Sequence, residues 1–185
     1  DVLMGENPLK LERELGSYVM DNILYKVSFP AEFHAQTAAE AAISLSSKVK
    51  GKIHDIKEIK IHTQEPGVRI ISKKGPLNNY ADRDHCIEYI VAWCLLNGSL
   101  NSNSYSDSSA SDKNIDKLRE LTNTVEDQAY TMKYYDLDER AIPNRVIVTM
   151  KTGEVFEKEV VYPLGHKNRR EESLPFLKGK FQKSL

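Results

Sequence analysis

The sequence is poor in residues that advertise a specialised chemistry. Only two of its 185 residues are cysteine, Cys86 and Cys94, too few for a disulfide framework or a zinc site. They lie eight positions apart in one helical pattern, about 12 Å along a helix axis. A disulfide needs Cα atoms within about 7 Å, so two free thiols and a reducing compartment are expected. No run of about 18 apolar residues could cross a bilayer. Neither sign of charge is in excess, with 26 Lys and Arg against 27 Asp and Glu and a formal net charge of -1. A dedicated nucleic-acid binder would show a basic excess, and a protein held on a membrane by charge would carry a polybasic segment, so no nucleic-acid or membrane partner is expected. Phosphate loops, zinc spacings, nucleophile elbows and dinucleotide fingerprints are absent, as are internal repeats. No signal or transit peptide opens the chain, and Asp1 stands where a Met would. A fragment or processed form of a longer protein is expected.

What is present is ordinary: 40% hydrophobic and 29% charged residues, as in soluble globular domains. The length suits one compact domain that buries roughly 70% of its unfolded surface. Residues 1–16 are polar and mixed, and they read as a connector. Ser17 to Phe29 alternates loosely around Tyr, Val, Ile and Phe, which predicts a strand closed by Pro30. His34 to Lys50 is Ala-rich, with Ala38, Ala41, Ala42 and Leu45 on one helical stripe small enough to let a sheet approach. Ile53 to Thr63 predicts a half-buried strand, with Ile53, Ile59 and Ile61 on one parity and Lys60 and His62 on the other. Val68 to Pro76 fits either a helical turn or a strand.

Asn79 to Leu96 predicts the clearest helix. Asn79 and Asp82 make a capping pair, Ile87, Ile90, Val91, Cys94 and Leu95 form the apolar face, and Asn97-Gly98 is the stop. Residues 99–112 are low-complexity Ser, Asn and Asp, read as a mobile surface loop because they offer little to bury. Asn114 to Leu121 reads as a short helix. Val146–Met150 and Val155–Tyr162 flank Lys151-Thr152-Gly153-Glu154 as a β-hairpin. Gly165 to Arg170 is a basic turn, and residues 171–183 read as a final helix. The order predicts an α+β fold, a small sheet covered by helices on one face.

Two clusters carry possible chemistry. In YKVSFPAEFHAQT (residues 25–37), Lys26 ends the predicted strand and His34 opens the helix. A neutral imidazole beside an ammonium suits a carboxylate ligand or proton transfer next to one. The alternative is a packing or capping histidine and a solvated lysine. In NYADRDHC (residues 79–86), Asp82, Arg83, Asp84 and His85 crowd a helix start, where Arg83 either forks onto a carboxylate or pairs locally. The run His166, Lys167, Arg169, Arg170 either attracts a polyanion or is a solvated turn. His54 and His62 have no partner in reach along the sequence, and the Tyr134-Tyr135 and Asp136–Asp138 stretch reads as loop packing.

Three long segments, SYVMDNILYKVSFPAEFHAQTAAEAA, PLNNYADRDHCIEYIVA and VVYPLGHKNRREESLPFLKGKF, resemble the MmgE/PrpD family, and within it the branch that dehydrates 2-methylcitrate. The resemblance covers nearly the whole chain outside the Ser/Asn-rich loop. It implies a subunit of two domains, a large helical one and a smaller α+β lid. Residues 17–164 correspond to the lid, residues 1–16 to the connector from the helical domain, and residues 165–185 to a basic turn and a segment returning to it. The implied reaction is a cofactor-free elimination of water from 2-methylcitrate to 2-methyl-cis-aconitate in the methylcitrate cycle of propionate breakdown. A related lyase activity, decarboxylation of cis-aconitate, and a non-catalytic interaction or dimerisation module are the rival readings.

By position the resemblance implies Lys26 and His34 as catalytic residues, with one residue more than elsewhere in the family between Lys26 and Phe29-Pro30. It places Ser28, Arg83, His85 and Arg169 near the substrate. No metal is implied, and the implied partners are the tricarboxylate, the helical domain and a second copy in a homodimer. A cofactor-free elimination needs a base, an acid and cations for three carboxylates, and the acidic and His residues of the helical domain are expected to supply much of that. The Ser/Asn-rich insertion points to a fungal or other eukaryotic source. The mitochondrial matrix is then implied, or the cytoplasm for a bacterial source.

Overall fold

The structure is a computed structural model that describes residues 14, 16, 23, 24 and 26–183. Its elements are α1 (Gln36–Val49), β1 (Ile56–Thr63), α2 (Glu65–Ile71), α3 (Tyr80–Asp84), α4 (Ile87–Asn97), α5 (Asp107–Ala110), α6 (Lys113–Glu120), β2 (Thr122–Glu126), α7 (Gln128–Tyr135), β3 (Asn144–Met150), β4 (Val155–Val160) and α8 (Arg170–Lys183). The four strands form one sheet in the order β2-β1-β3-β4. β2 runs parallel to β1, and the other two pairs are antiparallel. The fold is α+β, as the pattern of elements predicts.

Period-2 alternation sets the inner face. Ile59 lies opposite Val148, Ile61 opposite Val146 and Thr63 opposite Asn144, and all six are buried. Each buried Ile or Val removes enough apolar surface from water to contribute about 1.5–3 kcal/mol. Lys60 and His62 take the other face. On the inner face α1 lies against β3, β4 and α4. Because it is enclosed on two sides, Ala38, Ala39, Ala41 and Ala42 are all fully buried, and their small side chains permit the close approach. The loop between β1 and α2 is as tight: a Cβ on Gly67 would sit 2.5 Å from Thr63 Oγ1.

The structure departs from the sequence reading in four places. The strand predicted over 17–29 lies largely outside the described residues, and the described ones, 23, 24 and 26–29, are not part of the sheet. The helix predicted over 79–96 is two helices with a break at His85 and Cys86. Its start and stop are as predicted, since Asn79 Oδ1 accepts from the Asp82 N–H and Gly98 takes a left-handed φ of 67°. The break has a tertiary cause: the Asp84 carbonyl, which a continuous helix would spend four residues onward, accepts instead from the Glu32 N–H at 3.2 Å. The Ser/Asn-rich segment read as a loop with nothing to bury holds a capped 3-10 turn and α5. It inserts Tyr105 into the core at 0% exposure. Finally, β2 and α7 were not predicted. TNTVE is too polar to read as a strand, yet it pairs with β1 at the sheet edge. The cysteines are both free and buried.

Candidate active site

The turn that precedes α1 is built from the side chain of Gln36. Its Nε2 donates to the carbonyls of Phe29 (2.9 Å) and Ala31 (2.8 Å), which folds residues 29–31 back over the helix start. The Glu32 side chain then caps the turn by accepting from the His34 N–H at 2.8 Å. From the other side Asn144, at the head of β3, donates to the His34 carbonyl (2.8 Å) and to Thr37 Oγ1 (2.7 Å). His34 is therefore fixed by its own turn and by the sheet.

The His34 ring is held at both nitrogens. Nδ1 lies 2.8 and 3.0 Å from the two Glu32 carboxylate oxygens. A carboxylate only accepts, so Nδ1 carries a proton. Nε2 lies 3.1 Å from the Tyr134 hydroxyl. A neutral ring accepts from that hydroxyl, and an imidazolium donates to it. The chain Glu32–His34–Tyr134 can thus move a proton in either direction, with the carboxylate stabilising the charged ring. Burial by itself would raise the Glu32 pKa, but hydrogen bonding and charge from His34 outweigh it and hold the carboxyl below its ordinary 4.5. Burial raises the Tyr134 phenol, helped by the neighbouring Tyr135 and by Glu32.

The sign for Glu32 gives a pH prediction. A carboxyl whose folded pKa is lowered stabilises fully above its unfolded value and loses that contribution as pH falls through the folded value. In urea unfolding at a series of pH values, the stability gap between wild type and Glu32→Gln should be widest above about pH 4.5 and close below it. A gap that persists unchanged to about pH 3 would show that the ionised carboxylate is not what stabilises the turn.

The other residues expected at the site divide into two groups. Lys26 is exposed, with Nζ 5.6 Å from the centroid of Phe33, the residue between Glu32 and His34. Ser28 lies in the same turn, and its buried Oγ has no hydrogen-bond partner. His85 is joined to the turn through the Glu32-to-Asp84 backbone bond, and its Nδ1 is 2.5 Å from Asp84 Oδ1. Lys26, Ser28, His34 and His85 thus share one corner of the molecule. Arg83 and Arg169 have structural tasks elsewhere. Arg83 is buried and donates through Nη1 to the Tyr105 carbonyl and to Asp107, both at 2.7 Å, which pins the Ser/Asn-rich segment. Arg169 clasps Glu40 with both Nη atoms, at 2.9 and 3.0 Å, and spends its remaining donors on Glu172 and the Tyr162 carbonyl. That fork raises its pKa above an ordinary arginine's. Glu32, Tyr134 and Asn144 were missed by sequence reasoning. Only the closeness of Glu32 to His34 left a trace in the sequence.

A cavity of about 350 Å³ opens beside Tyr134. One wall is apolar, formed by Ile23, Leu24, Leu137 and Ile142, and the other carries Tyr134, Arg140, His166 and Lys167. Residues 29–185 match the MmgE/PrpD C-terminal domain. The chain belongs to the MmgE/PrpD family. Among its MmgE/PrpD relatives, "2-methylcitrate dehydratase, mitochondrial" of Yarrowia lipolytica is 52% identical over the whole of this chain and 36% of its own length. The 2-methylcitrate dehydratase of Escherichia coli is 49% identical over the whole chain and 39% of its own length. The "Probable 2-methylcitrate dehydratase" of Saccharomyces cerevisiae is 47% identical, again over the whole chain, and 37% of its own length is covered. The chain therefore spans little more than a third of the length of these relatives. The 32–34 turn with His34 lies within the matched residues, and Lys26 lies three residues before them.

Proposed function

We propose that this chain is the lid portion of a 2-methylcitrate dehydratase, which removes water from 2-methylcitrate to give 2-methyl-cis-aconitate without a cofactor. The observation that carries the reading is the Glu32–His34–Tyr134 chain, a carboxylate-oriented imidazole facing a phenol, in a sequence about half identical to proteins of that name. His34 acts as an acid or base at the substrate, and Lys26 anchors a carboxylate and stabilises the enolate-like charge that develops when the neighbouring proton leaves. Ser28 and His85 stand beside them as hydrogen-bonding groups. The proton abstracted from carbon goes to a base on the helical domain, which also closes the cleft. The mitochondrial matrix is the compartment we propose, following the yeast relative's name, and a homodimer is the assembly.

The reading predicts a division of labour. The purified 185-residue chain should show no turnover of 2-methylcitrate, because half of the cleft is lacking. The longer polypeptide that contains it should form the conjugated double bond of the product, followed by ultraviolet absorbance. Release of CO₂ instead would transfer the protein to the decarboxylases. Mutation-sensitive turnover by the 185-residue chain itself would overturn the lid assignment.

A further inference from the structure

The proton chain needs the Tyr134 hydroxyl within reach of a ring 100 residues away, and neither Glu32 nor His34 sets where that hydroxyl stands. The frame that sets it is α2. Pro66, Gly67 and Ile71 of α2 are buried, and a Cβ on Gly67 would meet Thr63 Oγ1 at 2.5 Å, so α2 is seated tightly on the end of β1. It packs against the 33–35 turn, which holds His34, and against α7, which carries Tyr134.

One hydroxyl joins α2 to α7. The first N–H groups of a helix have no partner within it. Gln64 precedes α2 but does not cap it, because its Oε1 accepts from Thr63 Oγ1. The Glu65 N–H donates instead to Thr131 Oγ1 on α7, at 2.9 Å. Thr131 Oγ1 in turn donates to Glu126 Oε1 at 2.8 Å. A hydroxyl has one proton to give, so these two bonds fix its direction. They tie α7 at one point to the start of α2 and to the end of β2. Thr131 stands three residues before Tyr134 and four before Tyr135, spacings that share a helix face. Tyr135 lies across the same junction. Its hydroxyl donates to Glu65 Oε2 at 3.3 Å, and its ring stands edge-on to Tyr134 with centroids 5.1 Å apart. Glu65 Oε1 accepts from Arg69 Nε at 2.7 Å.

We infer that Thr131 is a positioning residue, whose hydroxyl holds α7 against α2 at the separation that brings the Tyr134 phenol to His34 Nε2. It acts through Tyr134. That the placed phenol serves a dehydration rests on the function proposed above; the placement itself does not.

Thr131→Val removes the hydroxyl and keeps the branched shape, and Thr131→Ser keeps the hydroxyl. Thr131→Ala removes it with a residue better suited to a helix, as a second variant should valine disturb folding. The first readout needs no turnover. In the 15N-labelled 185-residue chain the Nε2 resonance of His34 reports its hydrogen bond, and Tyr134→Phe, which deletes the phenol oxygen, supplies the reference displacement. Thr131→Val and Thr131→Ala should move the resonance toward the Tyr134→Phe position, and Thr131→Ser should leave it near wild type. The second readout is kinetic and uses the full-length protein. Tyr134→Phe should lower kcat for 2-methylcitrate by about 10²-fold, the low end for a lost acid–base group. Thr131→Val should lower kcat by about tenfold with KM little changed, because a displaced group keeps part of its effect. Serine should restore it. In the Tyr134→Phe background Thr131→Val should lower kcat no further, since changes that act through one contact do not add.

A resonance left unmoved by a folded Thr131→Val or Thr131→Ala chain overturns the placement, and so do losses in kcat that multiply with those of Tyr134→Phe. If the resonance moves as expected but Tyr134→Phe leaves kcat intact, the dehydratase reading of the proton chain fails and the placement stands. If Tyr134→Phe lowers kcat while Thr131→Val moves neither kcat nor the resonance, the placement alone fails.

Discussion

Replacing Lys26 by alanine in the full-length protein is expected to lower turnover of 2-methylcitrate by about two to three orders of magnitude, the usual effect of removing one group that stabilises developing charge. Thermal stability should hardly change. Lys26 is exposed, and the contact recorded for its ammonium is the Phe33 ring at 5.6 Å, a surface cation–π contact worth about 0.5–1 kcal/mol. His34→Gln completes the argument. Glutamine can still hydrogen-bond a substrate but cannot shuttle a proton at neutral pH. Turnover should therefore collapse with it as well. A rise in KM with kcat intact would reduce His34 to a binding group, and near-normal turnover of Lys26→Ala would remove that lysine from the site.

The second large effect concerns stability. Glu88 is 1% exposed, a charged side chain of a type almost never so buried without partners. It has them. Oε1 accepts from Ser72 Oγ (2.6 Å) and Thr124 Oγ1 (2.8 Å), and Oε2 accepts from the Lys73 N–H (3.1 Å) and the Cys86 thiol (3.4 Å). Lys74 Nζ approaches to 3.9 Å. One carboxylate thus ties the start of α4 to the end of α2 and to the edge strand β2. Glu88→Ala would leave a cavity and several donors without an acceptor, at a cost of about 3–5 kcal/mol. For a domain of this size that is about 6–20 °C in Tm. Glu88→Gln keeps the shape and the Oε1 bonds but turns an amide N–H toward the Lys73 N–H, so it should lose less than alanine does. Unfolding by urea measures both. An alanine variant within about 1 kcal/mol of wild type would show that the hub is dispensable.

These two sites differ in how much of them the sequence displayed. Lys26 and His34 stand eight residues apart in one segment of the chain, and their motif could be singled out without a structure. Glu88 drew no attention in the sequence, because the partners that make it a hub come from β2 and from the loop after α2. Tyr134 looked like loop packing. It sits 100 residues from the ring it meets, and nothing about its immediate neighbours records that distance being closed. For Arg83 and Arg169 the sequence displayed an anion-site composition, and the fold adds protein acceptors: Tyr105 and Asp107 for Arg83, and Glu40, Glu172 and Tyr162 for Arg169.

Local chemistry determined what depends on one or two turns of chain. The alternation of Ile59 and Ile61 placed β1, the alternation of Val146 and Val148 placed β3, the alanine stripe made α1 a helix that a sheet can approach, and Asn79 and Gly98 set the outer ends of a helical stretch. The tertiary structure alone decided where that stretch breaks, since the Asp84 carbonyl is claimed by Glu32 from a distant turn. It decided that a Ser/Asn-rich segment folds around the buried Tyr105, and that a polar TNTVE segment becomes an edge strand. It also placed Glu32, Tyr134 and Asn144 around His34. Backbone periodicity is a property of neighbours and is written in the sequence. A hydrogen bond between residues a hundred positions apart exists only once the core has brought them together.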